Sequence, residues 1–258
     1  MGTRSPIKLR LLSLLIVLSA LVSGCVTETN DRLAQNKDPK KAVKAYVEAG
    51  MLYLQRNQMD NAHRTLTRAY EIDPNDPSVN NGLALFFSVE GDKPQTEMHF
   101  KKALSSDSQF SQARNNYAAF LFSEGRYKDA IEQLEIVTKD YSYDRRATVF
   151  ENLGLCYLKV SDLAQAEKSF NRALKLNPNL PNALIELAEI NFNRGDNQAA
   201  RMYLGNYEKI AKPSSRQLWL GIRLQRILGD KNKEASYTLA LKNMFPGSPE
   251  YQAYKASK

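Results

Sequence analysis

Apolar residues recur with a helical period along most of the chain, and the pattern is clearest between Ala147 and Pro178. Phe150, Leu153, Gly154 and Tyr157 fall at i, i+3, i+4 and i+7, which is one face of a helix. Ser161-Asp162 interrupts that face. Ala166, Phe170 and Ala173 then form a second stripe at i, i+4 and i+7, closed by Asn177-Pro178. The stretch predicts two amphipathic helices joined by a turn. The small residues Gly154, Ala166 and Ala173 are where two helices can approach. Such a pair cannot bury both of its faces by itself, so it predicts neighbours of the same kind.

The neighbours are present. Counterparts of Ala166 stand at Ala62, Thr96, Ala130 and Ala200, with successive spacings of 34, 34, 36 and 34 residues. Twelve residues before each comes a small residue, in the series Gly50, Ala84, Ala118, Gly154 and Ala188; four after each comes a large one, Leu66, Phe100, Leu134, Phe170 and Leu204. The units are 43–76, 77–110, 111–144, 147–180 and 181–214, with a sixth over about 215–248 whose register is open between Ser214 and Ser215. A two-residue insertion, Arg145-Arg146, precedes the fourth. Asp38-Pro39 is a helix-start signal that opens the folded part, 39–258. This pattern resembles the tetratricopeptide repeat family. The resemblance implies an all-α solenoid of about six helix-turn-helix units in a right-handed superhelix.

Ahead of Asp38 the patterning is of another kind. Arg4, Lys8 and Arg10 precede an apolar run from Leu11 to Val22, too short to span a bilayer and suited to a signal-peptide core. The run ends in Val22-Ser23-Gly24-Cys25, which resembles the lipobox of bacterial lipoproteins. That resemblance implies removal of 1–24 and lipidation of Cys25. By resemblance to lipoprotein sorting in Gram-negative bacteria, Val26 in place of Asp implies passage to the outer membrane. Residues 25–38 are mostly polar and read as a tether. With Cys25 lipidated, Cys156 is left single, between Leu155 and Tyr157, and is expected to be a packed core thiol.

Composition changes this picture little. Hydrophobic residues make up 43% and charged ones 25% of the 258, enough for a sizeable core. The net charge of +8 falls to about +5 without Arg4, Lys8 and Arg10. Acids are interspersed throughout, and the one dense basic run, from Lys37 to Lys44, reads as a solvated helix start, so no nucleic-acid partner is expected. His63 and His99 each stand without a metal-ligand partner at helical spacing, so no metal is expected. No phosphate-binding loop or nucleophile motif is present, and neither a cofactor nor an enzymatic activity is expected.

The expected functional surface is therefore a groove. In repeats of this family the first helix of each unit lines the inner face. The residues at the family's inward places include Val47, Met51, Leu54, Leu85, Asn115, Phe122, Leu158 and Phe192. They are the candidate partner-binding residues, with Asn81, Asn115 and Glu151 as polar edges. Leu85, Leu155 and Leu158 either line this groove or pack against the next unit. No unit carries the Lys and Asn pair with which some family members hold a peptide carboxylate. An apolar groove suits an amphipathic helix or an extended segment.

The order of lipobox, polar tether and six repeats narrows the resemblance. So do Ala113-Arg114-Asn115-Asn116-Tyr117, Leu218-Trp219-Leu220-Gly221 and Phe245-Pro246-Gly247-Ser248-Pro249. Together they are similar to the lipoproteins of type IV pilus biogenesis known as pilotins. That implies a protein on the periplasmic face of the outer membrane, anchored through Cys25, that promotes localisation and multimerisation of the pilus secretin. The alternative is another outer-membrane repeat lipoprotein, a scaffold for β-barrel assembly or an adaptor for peptidoglycan enzymes.

Overall fold

The computed structural model describes residues 38–257. The expected signal peptide, Cys25 and the expected tether as far as Lys37 lie outside these residues.

Among the described residues the chain forms thirteen helices and no strand. Six antiparallel pairs follow one another. They are α1 (Pro39–Gln55) with α2 (Met59–Ile72), α3 (Pro77–Glu90) with α4 (Lys93–Ser106), and α5 (Ser111–Ser123) with α6 (Tyr127–Val137). Then come α7 (Arg146–Lys159) with α8 (Leu163–Leu176), α9 (Pro181–Arg194) with α10 (Asn197–Ile210), and α11 (Ser215–Leu228) with α12 (Lys231–Met244). A short α13 (Pro249–Ala256) ends the chain and packs on α11.

The turn inside each pair is built the same way. One residue takes a left-handed φ, at Asn57, Gly91, Gly125, Ser161, Gly195 and Gly229 in turn. In four of the six, the aspartate that follows caps the second helix: Asp92, Asp162, Asp196 and Asp230 each accept a hydrogen bond from the backbone N–H three residues on, at 3.0–3.1 Å. A cap of this kind contributes about 1 kcal/mol. Where the first helix of a pair needs a start signal, Asp38, Asp76 and Ser214 supply the same bond, the two aspartates ahead of a proline.

Within a pair the helices meet at the small residues. A Cβ placed on Gly154 would lie 2.5 Å from the Phe170 ring, and one on Gly50 would lie 2.6 Å from Leu66. Phe170 and Leu66 are fully buried as a result. Burying such a side chain contributes about 1.5–3 kcal/mol.

Between pairs, each first helix touches the first helix of the next unit, and each second helix packs on the first helix that follows it. The first helices therefore form the tighter, inner row of the solenoid, and the second helices form the outer row. The two-residue insertion is absorbed in the loop 138–145. There α6 stops at Val137 after 11 residues, where most of the other second helices run for 14. The core is unbroken across it: Val137 joins Val149, Leu153 and Cys156 in one cluster with Phe100, Leu121 and Leu134. Cys156 is buried, and burial pushes its thiol up to about 11.

The sixth pair shows why its register reads two ways. Its helix caps keep the 34-residue step, Asp230 following Asp196. Its close contact does not: a Cβ on Gly221 would meet Tyr237 at 2.8 Å, and this couple falls 33 residues after Ala188 and Leu204. The helix start follows one register and the packing the other. Helix α13 is an addition that the repeat pattern alone does not include.

Gly154→Ala should destabilise the fold by about 1–3 kcal/mol, because the Phe170 ring has to leave its rotamer. Ser161→Gly should stabilise it by up to about 1 kcal/mol, by relieving a left-handed non-glycine. Urea unfolding followed by circular dichroism measures both. A neutral Gly154→Ala would show that the close approach is not needed.

Candidate partner-binding groove

The eight candidate residues all lie on first helices, and all are half-buried. Six of them pack one side against a core cluster. Val47 and Leu54 lean on the first cluster, Leu85 and Phe122 on the second, Leu158 on the cluster around Phe170, and Phe192 on the cluster around Leu204. Met51 reaches the second unit, where its Sδ would be 3.8 Å from a Cβ on Gly82. The missing side chain at Gly82 makes room for Leu66 and Met51 together.

Between the third and fourth units the groove deepens into a cavity of about 170 Å³. Ala119, Phe122, Asn152 and Leu155 form its walls, and Leu134 and Cys156 lie at its base. Leu134 belongs to the outer row, so the cavity opens on the inner side. It exists because Ala119 is small where the equivalent places hold Met51, Leu85 and Leu155. Phe122 is held in position by an edge-on contact with Tyr127, ring centroids 5.2 Å apart. The cavity accepts an apolar side chain with one amide, Asn152, at its rim.

The polar residues expected to edge the groove do something else. Asn81 is 3% exposed and accepts a hydrogen bond from Asn116 at 3.0 Å. Asn115 is half-buried and accepts one from Asn152 at 3.4 Å. Glu151 is 6% exposed, and its carboxylate accepts from the backbone N–H of Ala183 at 3.0 Å. All three are the fifth residue of their unit, and each receives its bond from the unit that follows. Helix α9 has no side-chain cap of its own at Leu180, so Glu151 of the preceding unit satisfies its first turn. The row is a set of clamps between units, each bond contributing about 0.5–1.5 kcal/mol. The groove rim is correspondingly less polar than the sequence suggests.

Toward its C-terminal end the inner face changes character. The Arg216 guanidinium donates to both oxygens of Glu186 at 2.7 and 2.8 Å and to Glu189 at 3.0 and 2.6 Å, which holds it protonated far above the usual arginine range. Arg223 lies over the Phe192 ring at 4.7 Å and over Trp219 at 5.5 Å. Phe192 is thereby covered by a cation rather than open. The apolar part of the groove runs from Val47 to Leu158, and an ionic part follows. The sequence carried a signal for this in Arg223, but its placement depends on the register of the sixth unit.

Among the described residues, no three His, Cys, Asp or Glu side chains are grouped to hold a metal ion, and no helix is long and apolar enough to cross a membrane.

Helix pairs of this length and packing, stacked with a half-open inner row, define a tetratricopeptide-repeat protein. The tetratricopeptide repeat family matches residues 35–76 and 147–180. The type IV pilus assembly protein PilF of Pseudomonas aeruginosa is 36% identical over 247 residues, covering 95% of this chain and 98% of that protein. A solved structure of Pseudomonas aeruginosa PilF superposes with a TM-score of 0.82 at 37% identity, covering 85% of this chain and 99% of the other. The crystal structure of PilW, a widely conserved type IV pilus biogenesis factor, shares the fold, with a TM-score of 0.71 at 23% identity over 82% of this chain and 97% of that one. The chain belongs to the PilF family of type IV pilus assembly proteins.

Burial raises the carboxyl of Glu151 above the usual range, against the opposing pull of its bonds from Ala183 and Asn182. Its ionised form therefore costs stability at neutral pH, and that cost disappears as the pH falls below the raised value. Glu151→Gln keeps an oxygen for the Ala183 N–H. It should be at least as stable as the parent at pH 7, and its advantage should shrink toward pH 4. Melting temperatures across that range decide the matter. An advantage that grows on acidification would reverse the sign argued here.

Proposed function

We propose that this protein is a pilotin. In this reading it is anchored at the periplasmic face of the outer membrane by lipid on Cys25, holds a subunit of the type IV pilus secretin in its inner groove, and promotes secretin localisation and multimerisation there. The observation that carries the reading is the half-open apolar row from Val47 to Leu158, with its cavity beside Phe122, in a chain of the PilF family. Such a row suits one face of a helix or the alternate side chains of an extended segment. The lipobox Val22-Ser23-Gly24-Cys25 supports the anchor.

The mechanism needs no chemistry. A secretin subunit bound to a tethered solenoid is confined near the membrane, where its effective concentration rises and insertion and ring closure become more frequent. A single acyl chain holds a protein only transiently, so a permanent tether calls for two or more on Cys25. The polar stretch 25–38 gives the solenoid reach away from the bilayer.

Cys25→Ser behind a cleavable secretory signal should leave a folded periplasmic protein that no longer carries secretin to the outer membrane. Membrane fractionation and unheated gels of secretin multimers read this out, and normal rings in that strain would sink the tether mechanism.

Phe122→Asp and Ala119→Trp should each weaken secretin binding by about tenfold or more, the first by charging the row and the second by filling the cavity. Helical circular dichroism should stay intact in both. Undiminished affinity in both would move the interface off the inner face, and recovery of a barrel-assembly factor or a peptidoglycan hydrolase in place of secretin after mild crosslinking would favour a different scaffold role.

A further inference from the structure

A second groove lies on the opposite side of the solenoid and is independent of the pilotin reading. It runs between α6 and α8, over α7, and encloses about 570 Å³. Its floor is Phe150, Leu153 and Tyr157 of α7. Its walls come from the outer row, so it opens outward. The floor is flanked on one side by α8 and on the other by the end of α6 at Val137 and the loop that follows it.

The walls of this groove are basic. Lys139 stands on one side and Lys168, Arg172 and Lys175 on the other. Among the described residues none of the four makes an ion pair within 4.0 Å, whereas Arg126, Arg194, Arg216 and Arg226 are each matched by carboxylates. The Arg172 guanidinium instead lies over the Phe150 ring, at 5.9 Å. The single acid of the lining, Glu135, accepts the Tyr157 hydroxyl at 2.6 Å. Four exposed cations around an aromatic floor, with their counter-charge missing, make a field that favours an anionic occupant. The corresponding recess two junctions earlier is built from His63, Tyr70, Phe87, Met98 and His99, with no Lys or Arg in its lining. Lys139, Lys168 and Lys175 stand where that junction has Glu71, Met98 and Ser105; Arg172 alone has a cationic counterpart, Lys102, which donates to the Tyr70 hydroxyl.

The geometry points to a docking site for an extended, acidic segment of a partner protein, with carboxylates meeting Lys139, Lys168, Arg172 and Lys175 and one aromatic or aliphatic side chain resting on Phe150 and Tyr157. A flat membrane surface fits less well, because the apolar floor is recessed between two walls. A headgroup plane would reach the cations and leave the rings bare.

The test uses the full-length chain purified in detergent and a fluorescein-labelled peptide, Glu-Asp-Phe-Asp-Glu, followed by anisotropy. Binding should weaken as salt rises from about 0.05 to about 0.5 M. It should fall about tenfold or more in Lys168→Glu/Arg172→Glu, and measurably in Lys139→Glu, which lies outside any helix. It should persist in Ala119→Trp, which alters the inner face alone. The uncharged analogue Gln-Asn-Phe-Asn-Gln should not bind. Absence of peptide binding at low salt, or equal affinity in both charge variants with helical circular dichroism intact, would overturn the proposal. So would binding of phosphatidylglycerol vesicles, but not the peptide, that is lost in the same variants, since it would reassign the cations to a lipid surface.

Discussion

Two helices of a unit can come together only where one of them offers almost no side chain. At Gly154 the Phe170 ring fills the volume that a Cβ would need, and Leu66 does the same at Gly50 and Tyr237 at Gly221. Elsewhere the small partner is alanine, as with Ala84 beside Phe100 and Ala188 beside Leu204. The close approach turns each pair into a wedge with a fixed angle, and the stack is the sum of those angles. The openness of the inner row depends on this. Side chains such as Val47 and Phe122 stay half-exposed because the neighbouring helix is held at a set distance and cannot collapse onto them.

The fold was legible in the sequence because its determinants are local and repeated. Small residues at Gly50, Ala84, Ala118, Gly154 and Ala188, with large ones sixteen places later, leave one arrangement of helices that buries both sets. The groove was legible in part. Its apolar members were found by their place in the unit, but whether a polar side chain there faces water or a neighbour depends on the following unit. Asn81, Asn115 and Glu151 looked like a solvated edge because no pattern within one repeat shows that Asn116, Asn152 and Ala183 reach back to them. The outer groove was out of reach for a different reason. Its cations come from a loop and from the exposed side of α8, positions that the repeat pattern leaves unconstrained, and nothing in their spacing shows that they share a recess.

The two faces divide the chemistry. Toward the N-terminal side the inner row is apolar and its polar groups are spent on neighbours. Toward the C-terminal side Arg216, Glu186, Glu189 and Arg223 make it ionic. The outer row mixes polar and exposed apolar side chains and carries unmatched positive charge at one junction. A ligand on the inner face would be held by shape and burial, which salt affects little, whereas one on the outer face would be held by charge, which salt screens. A single partner contacting both would be sensed by two kinds of interaction with different dependence on the surroundings.

The last helix bears on a problem that every open repeat array has. A stack of identical units ends on a surface shaped to receive one more unit, so two such ends are complementary in kind and prone to join. Here α13 lies against α11, with Tyr254 buried among Leu218, Ile222 and Leu241, Tyr251 beside it, and Arg226 donating to the hydroxyl of Ser257. At eight residues it is too short to act as the first half of another unit. It occupies the vacant place without recreating it. Within the described residues the stack is closed at this end, and two copies of the molecule find no receptive helix face there through which to join.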